Sequence, residues 1–197
     1  MSQEIEFYKN KNFKGSQLRL LDEWIAIDAR FQNKRDVNYI IRERNGEGLP
    51  VVYEIIYNIH SFCDILEEDG DGFQYPVYAD RFVMRINIPN NFPSVESKLV
   101  FRFLTENIHG NKIPHPWHPN IRFFGDFVGR VCLNKDAFSS FTSLALFIER
   151  VALYLKYEKY HAIIGEKPYP EDEKVAEWVV KQAEPKGWIE DLKSKNE

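Results

Sequence analysis

The sequence is poor in cysteine: only Cys63 and Cys132 occur in 197 residues. That excludes a disulfide framework. It has no apolar run approaching about 18 residues, so nothing in it reads as a membrane-spanning helix. The opening Met1-Ser2-Gln3-Glu4-Ile5-Glu6 lacks a basic region followed by an apolar stretch, and so is not read as a secretory signal. Together these absences predict a reducing, cytoplasmic setting and no membrane association. A positive charge balance is also lacking. The formal net charge is −4 and no Lys/Arg cluster stands out, which argues against a nucleic-acid partner, because neutralising phosphates needs a basic surface. No internal repeat or low-complexity tract is visible.

What is present is enough apolar material for a sizeable core: 44% hydrophobic residues, 15% of the chain aromatic. The length suits one domain with extensions, placed as an N-terminal extension over 1–15, a domain over 16–183 and a C-terminal tail over 184–197. Residues Gln3 to Asn12 are polar and predict a loose segment. Ser16 is the expected N-cap of an amphipathic helix. Leu20, Trp24, Ile27 and Phe31 recur at helical spacing, with Leu18, Leu21 and Ile25 widening the stripe.

Strand patterns follow. Val37 to Arg44 reads as a strand closed by a turn at Gly46-Glu47-Gly48. Tyr53, Ile55, Tyr57 and Ile59 alternate with Glu54, Asn58 and His60, a period of two that marks a half-buried strand. Glu67 to Gly72 is an acidic loop. Phe82, Met84, Ile86 and Ile88 alternate again, and Leu99, Phe101 and Phe103 supply a fourth strand. A long irregular region, Thr105 to Phe141, holds two His-Pro pairs and Val131-Cys132-Leu133; loops of that length inside a compact domain are usually functional or disordered, and the aromatic content argues for function. Leu144, Phe147, Ile148, Val151 and Leu155 predict a second helix, capped near Thr142 or Ser143. Pro170 with Glu171, Asp172 and Glu173 suits the start of a third, whose apolar face is Val175, Trp178 and Val179. A helix, four consecutive strands, a loop and then helices make an α+β fold with an antiparallel meander, not a doubly wound sheet.

The most informative stretch is His118-Pro119-Asn120-Ile121, followed by Cys132-Leu133 with eleven residues between Asn120 and Cys132. Here the sequence resembles the ubiquitin-conjugating enzymes, the second enzymes of the ubiquitin cascade. Their signature is a His-Pro-Asn tripeptide, then a Gly and an aliphatic-Cys-Leu nucleophile, positions filled by Gly129, Val131, Cys132 and Leu133. Ile88-Pro89-Asn90-Asn91-Phe92-Pro93 looks like that family's loop after its third strand. The family usually has seven residues between Asn and Cys, so Arg122 to Val128 holds an insertion of about four. Its usual Trp-Ser-Pro after the cysteine is absent, with Phe141-Thr142-Ser143 in roughly that place. Such departures look more like prokaryotic relatives, which are associated with conjugation operons, some of them serving antiviral defence. The resemblance implies a UBC-like fold. It implies a transferase with Cys132 as acyl carrier, Asn120 stabilising the oxyanion or holding the loop, and a mainly structural His118. It implies three partners: an activating enzyme, a ubiquitin-like protein and a protein substrate. Lys14 and Arg19 on the first helix would meet the activating enzyme, and Phe92 and Pro93 would lie near a ligase surface. No cofactor is implied.

The chemistry is consistent with those residue types. A thiol is nucleophilic enough to attack a thioester with only a few per cent thiolate, so no base need sit beside it. Amine attack on the resulting thioester builds charge on the carbonyl oxygen, which an amide donor such as Asn120 can stabilise. The plain reading of a Cys between Val and Leu is a small core hydrophobe; Cys63, without a motif, keeps it. Asp136 and Asp172 are candidates for orienting an incoming lysine. His115 and His118, with His109 or Cys132, are weak metal candidates in Pro-rich sequence, since a structural zinc site wants four good ligands. Asp69-Gly70-Asp71-Gly72 fails as a calcium loop because Phe73 and Tyr75 fall where oxygen donors belong. The alternatives to a conjugating enzyme are a non-catalytic scaffold of the same fold that binds a ubiquitin-like protein, and an unrelated α+β domain with a buried thiol.

Overall fold

The computed structural model describes residues 3–67, 72–93, 100–131, 143–167 and 169–196. The fold is α+β. Helix α1 (Gln3–Lys9) precedes α2 (Gly15–Phe31); strands β1 (Val37–Arg44), β2 (Pro50–Tyr57), β3 (Ser61–Glu67), β4 (Gln74–Ala79), β5 (Phe82–Asn87) and β6 (Val100–Phe103) follow. Helix α3 (Leu144–Leu155), α4 (Glu173–Trp178), a π-helical turn (Val179–Ala183) and α5 (Trp188–Lys195) complete the chain.

The main sheet runs β1-β2-β5-β6, antiparallel throughout. Its register puts Tyr53 opposite Ile86, Ile55 opposite Met84 and Tyr57 opposite Phe82. All six are fully buried, so the period of two read from the sequence is the period of one sheet face turned to the core. Across that face lie α2, through Leu20, Leu21, Trp24, Ile27 and Phe31, and α3, through Phe147, Ile148, Val151 and Leu155. Two polar groups inside are paired: the Tyr57 hydroxyl donates to the Ile148 carbonyl at 3.1 Å, and Ser61 Oγ donates to the Leu155 carbonyl at 2.6 Å. On the opposite face, the Glu54 carboxylate accepts from Arg42 Nε at 2.7 Å and Arg85 Nη2 at 2.6 Å. Burial raises its pKa, but hydrogen bonds from those two guanidiniums outweigh burial and leave it lowered.

Several expectations need correction. The four meander strands are not consecutive in the chain, because the β3–β4 hairpin intervenes as a separate two-stranded sheet. Residues 3–9 are not loose but helical, with Ile5 fully buried in the main core. Ser16 does not cap α2: Lys14 is the N-cap residue and makes no side-chain capping bond. Leu18 points outward. The third C-terminal helix starts at Glu173, with Asp172 as N-cap. At α3 the cap is Ser143, whose hydroxyl accepts from the Ala145 N–H at 3.1 Å. The buried Glu23 of α2 joins it there, accepting from the Leu144 N–H at 2.7 Å, a carboxylate on the positive end of a helix.

A second apolar cluster lies beside the first. It gathers Phe62 of β3, Trp117, Tyr157, Ala162, Val175, Trp178, Val179, Ile189 and Leu192. The segment expected as a C-terminal tail therefore packs inward through Ile189 and Leu192. The cluster is largely aromatic, with edge-to-face contacts of Phe62 on Tyr157 and Trp178, and of Trp117 on Trp178, at centroid distances of 5.0, 5.5 and 5.9 Å. Such pairs each add about 0.5–1.5 kcal/mol beyond the area they bury.

Candidate functional site

The His118-Pro119-Asn120 segment is a buried turn lying between the two apolar clusters. The Ile121 N–H donates to the His118 carbonyl at 2.9 Å, and the Asn120 N–H donates to His118 Nδ1 at 3.1 Å. His118 is 1% exposed, stacked on Tyr154 and edge-on to Tyr157. Burial pushes its pKa down to about 3, opposed by a backbone group of Lys159. An imidazole that accepts at Nδ1 and stays neutral carries its proton on Nε2. It braces the turn at neutral pH. Asn120 is also buried, and its Oδ1 accepts from the His161 N–H at 3.0 Å. Because the two amide heteroatoms lie on opposite sides of Cγ, this bond turns the side-chain NH2, the donor end, away from His161.

The residues that follow form a loop closed on itself. Ile121 and Val131 make an antiparallel bridge. Inside it, the Arg122 N–H donates to the Arg130 carbonyl at 2.8 Å, and the Gly129 N–H to the Arg122 carbonyl at 2.8 Å. The extra residues between the motif and Val131 are thus looped out, and the two ends of the loop are neighbours. Gly129 is there for a physical reason. Its φ is +89°, and a Cβ would sit 2.2 Å from the Phe103 carbonyl oxygen, while its own carbonyl accepts from the Phe103 N–H at 2.9 Å. Only glycine allows β6 to approach this closely.

Two residues about fifty positions downstream hold this loop, and the sequence reading missed that role. The Glu171 and Asp172 N–H groups both donate to the Pro119 carbonyl, at 2.8 and 3.0 Å. Asp172 Oδ2 accepts from the Phe123 and Phe124 N–H groups at 2.9 and 3.0 Å, and Oδ1 from the Val175 N–H at 3.4 Å. Glu171 Oε1 accepts from Arg122 Nε at 3.2 Å and from Arg130 Nε and Nη2 at 2.8 and 2.6 Å. Asp172 was expected as a possible guide for an incoming lysine; its carboxylate is instead buried and committed to three backbone donors. The only sequence-level hint was a Pro-Glu-Asp-Glu run, which says helix start and nothing about a distant loop.

Cys132, Leu133 and Asp136 lie outside the described residues, as do Ser94 to Ser97 and most of the acidic loop. Cys63 sits on β3 at a register shift, half-buried, and burial followed by the Asp64 charge pushes its thiol up to about 11. A thiol so protonated at neutral pH is a poor nucleophile. Lys14 is exposed at the start of α2. Arg19 pairs with the buried Glu23 at 2.5 Å, and its guanidinium lies 6.0 Å from the centroid of the Phe92 ring. Phe92 is itself buried in the main core, leaving Pro93 as the exposed member of that pair. Among the described residues no group of three or more His, Cys, Asp or Glu side chains is placed to hold a metal ion, and no helix is long and apolar enough to cross a membrane. A cavity of about 750 Å³ opens on the outer face of the main sheet, beside Ile40, Ile56, Val83 and the Arg42–Glu54–Arg85 group; none of the sequence-predicted site residues lines it.

Fold and site together define an α+β domain in which a helix-backed meander carries a closed loop next to a buried His-Pro-Asn turn. No family model matches the chain, and no curated protein matches it. Among solved structures it is similar to the human ubiquitin-conjugating enzyme E2 G1, with 17% identity over 72% of this chain and 94% of that one, at a TM-score of 0.43.

Proposed function

We propose that this chain is a conjugating enzyme that accepts a ubiquitin-like protein from an activating enzyme as a thioester on Cys132 and passes it to an amine of a target protein. The observation that carries the reading is the Ile121–Val131 bridge. It sets the residue after Asn120 beside the residue before Cys132, although eleven residues separate Asn120 from Cys132 in sequence. In the charging step, the Cys132 sulfur attacks the donor thioester carbonyl. The donor C–S bond breaks as the new one forms, and the thiol proton leaves with the departing sulfur. In the transfer step, a target amine displaces Cys132, and the Asn120 NH2, turned away from His161, is the donor for the oxyanion that forms on the way. His118, neutral and buried, supports the turn and exchanges no proton. The raised thiol pKa of Cys63 favours Cys132 as the single carrier. A prokaryotic conjugation operon and a role in antiviral defence belong to the same reading and rest on the departures from the family pattern described above, while a cytoplasmic location rests on the scarcity of cysteine.

The test is charging with the cognate activating enzyme, the ubiquitin-like protein and ATP, read on a non-reducing gel. The expected adduct is sensitive to thiol reagents, lost in Cys132→Ala and kept in Cys63→Ala. An adduct that survives Cys132→Ala defeats the assignment. No adduct at all with an active donor favours a non-catalytic scaffold that binds the ubiquitin-like protein.

A further inference from the structure

We propose that Glu171 and Asp172 are positioning residues for acyl transfer, acting through Asn120; this rests on the function proposed above. Neither touches a reacting atom. Together they grip the chain on both sides of Asn120: Pro119 just before it, Arg122, Phe123 and Phe124 just after it, and Arg130 at the far end of the loop.

The two carboxylates divide the work. Glu171, whose side chain is about one-tenth exposed, sits between Arg122 and Arg130. Those two arginines flank the Ile121–Val131 bridge. Without the carboxylate, two guanidiniums would face each other across the ends of the loop, and like charges at that range repel. Glu171 therefore holds the bridge closed. Asp172 fixes the turn that follows. It could have been an ordinary helix cap, but its bonds to the loop, at 2.9 and 3.0 Å, are shorter than its 3.4 Å capping bond to Val175. The paired donation from residues 171 and 172 into the Pro119 carbonyl then ties the motif's own backbone to the same two residues. A displacement of about 1 Å at a catalytic group can cost up to about a hundredfold in rate, so a device that locks the backbone around an oxyanion donor has a kinetic consequence.

The full chain carrying Cys63→Ala is acylated with the 2-mercaptoethanesulfonate thioester of N-acetyl-glycylglycine, which needs no partner protein. The acyl group moves to the Cys132 sulfur and mercaptoethanesulfonate leaves as the free thiol. Lysine is then added, its amine displacing Cys132 to give an amide and the free thiol, and intact mass follows the loss of the acyl group. Asn120→Ala is expected to slow this aminolysis by about 10²-fold. Glu171→Gln and Asp172→Asn should each slow it about tenfold, and should slow it no further when combined with Asn120→Ala. Glu173→Gln, an equal charge change at an exposed neighbour, should match the parent. Should Asp172→Asn prove unable to fold, Glu171→Gln alone decides, since glutamine keeps the side chain's shape and both arginines reach solvent. Parental aminolysis rates in the 171 and 172 variants, with Asn120→Ala slow, overturn this inference and leave the function standing. Equal further slowing in the Asn120→Ala background overturns it as well, because the effect then does not pass through Asn120. Failure of Cys132 to take the acyl group counts against the function itself, whereas a parental rate in Asn120→Ala removes the oxyanion role of Asn120, and this inference with it, while leaving Cys132 as the carrier.

Discussion

The two apolar clusters of this molecule are built on different plans. The first is periodic: Tyr53, Ile55 and Tyr57 against Phe82, Met84 and Ile86, roofed by α2 and α3. Most of its contacts come from regular elements whose side-chain spacing is fixed by the backbone. The second is aperiodic. Phe62, Trp117, Tyr157 and Trp178 come from a hairpin, a loop, the turn after α3 and a six-residue helix, and they meet because large rings fill irregular space. The candidate site hangs on the second cluster. Trp117 immediately precedes His118, and Tyr157 both packs on the His118 ring and donates its hydroxyl to the Trp117 carbonyl. A site that must hold an irregular turn in one geometry is served by rigid aromatic packing that no helix or strand imposes.

If the second cluster is an energetic unit as well as a geometric one, Trp117→Ala should lower global stability by about 3–5 kcal/mol, read as the urea midpoint. Native-state hydrogen exchange should show residues 115–131 losing protection while the β2 and β5 amides keep theirs. Uniform loss across both clusters would mean that they unfold as one body, and the division would be one of shape alone. A smaller probe of the same joint is Tyr157→Phe, which removes one hydroxyl and leaves the buried Trp117 carbonyl without that partner. The expected cost is about 1–3 kcal/mol. It should fall on exchange at His118 and Asn120 before it is felt in the main sheet.

The same contrast explains what could be read in advance. The meander, α2 and α3 were legible because burial there follows a period, whereas Gly129, Asn120 and His118 drew notice only as residue types of a motif whose spacing the insertion after Asn120 alters. The β3–β4 hairpin was missed because its residues are mostly half-buried, giving no alternation, and Pro76 interrupts β4. Helix α1 was missed because a single residue, Ile5, carries its burial. The Glu171–Asp172 grip on the loop was beyond reach for another reason. Its bonds span more than forty residues, and the local sequence is equally well explained by the helix start that Asp172 also serves.

The gentlest perturbation at neutral pH is His115→Leu, and it sets the two clusters apart by charge. His115 is buried beside Phe103 and Phe123, and among the described residues neither ring nitrogen has a hydrogen-bond partner. Burial pushes its pKa down to about 4, with the Asp172 charge opposing and Arg102 assisting. Replacing it with an apolar residue of similar volume relieves two unsatisfied polar atoms, so stability at pH 7 should rise by about 1 kcal/mol. The sign of the pH effect follows from linkage. Between the unfolded value near 6.5 and the folded value near 4, the unfolded chain binds a proton that the native state refuses, so native stability falls as pH falls through that window. The Leu variant lacks this loss, and its advantage should grow to roughly 3 kcal/mol more by pH 4, at about 1.4 kcal/mol per pH unit. His118, depressed further by burial to about 3, keeps part of the acid sensitivity in the variant. Glu54 on the sheet behaves oppositely to a buried histidine in its cause: its folded pKa is lowered by paired arginines, and its contribution is lost only below the ordinary carboxylate range. Urea midpoints taken from pH 7 down to pH 4 therefore separate the two regions. An advantage for His115→Leu that stays flat across that range would show that the imidazole is solvated in solution, and that the aromatic cluster around the turn is looser than its packing implies.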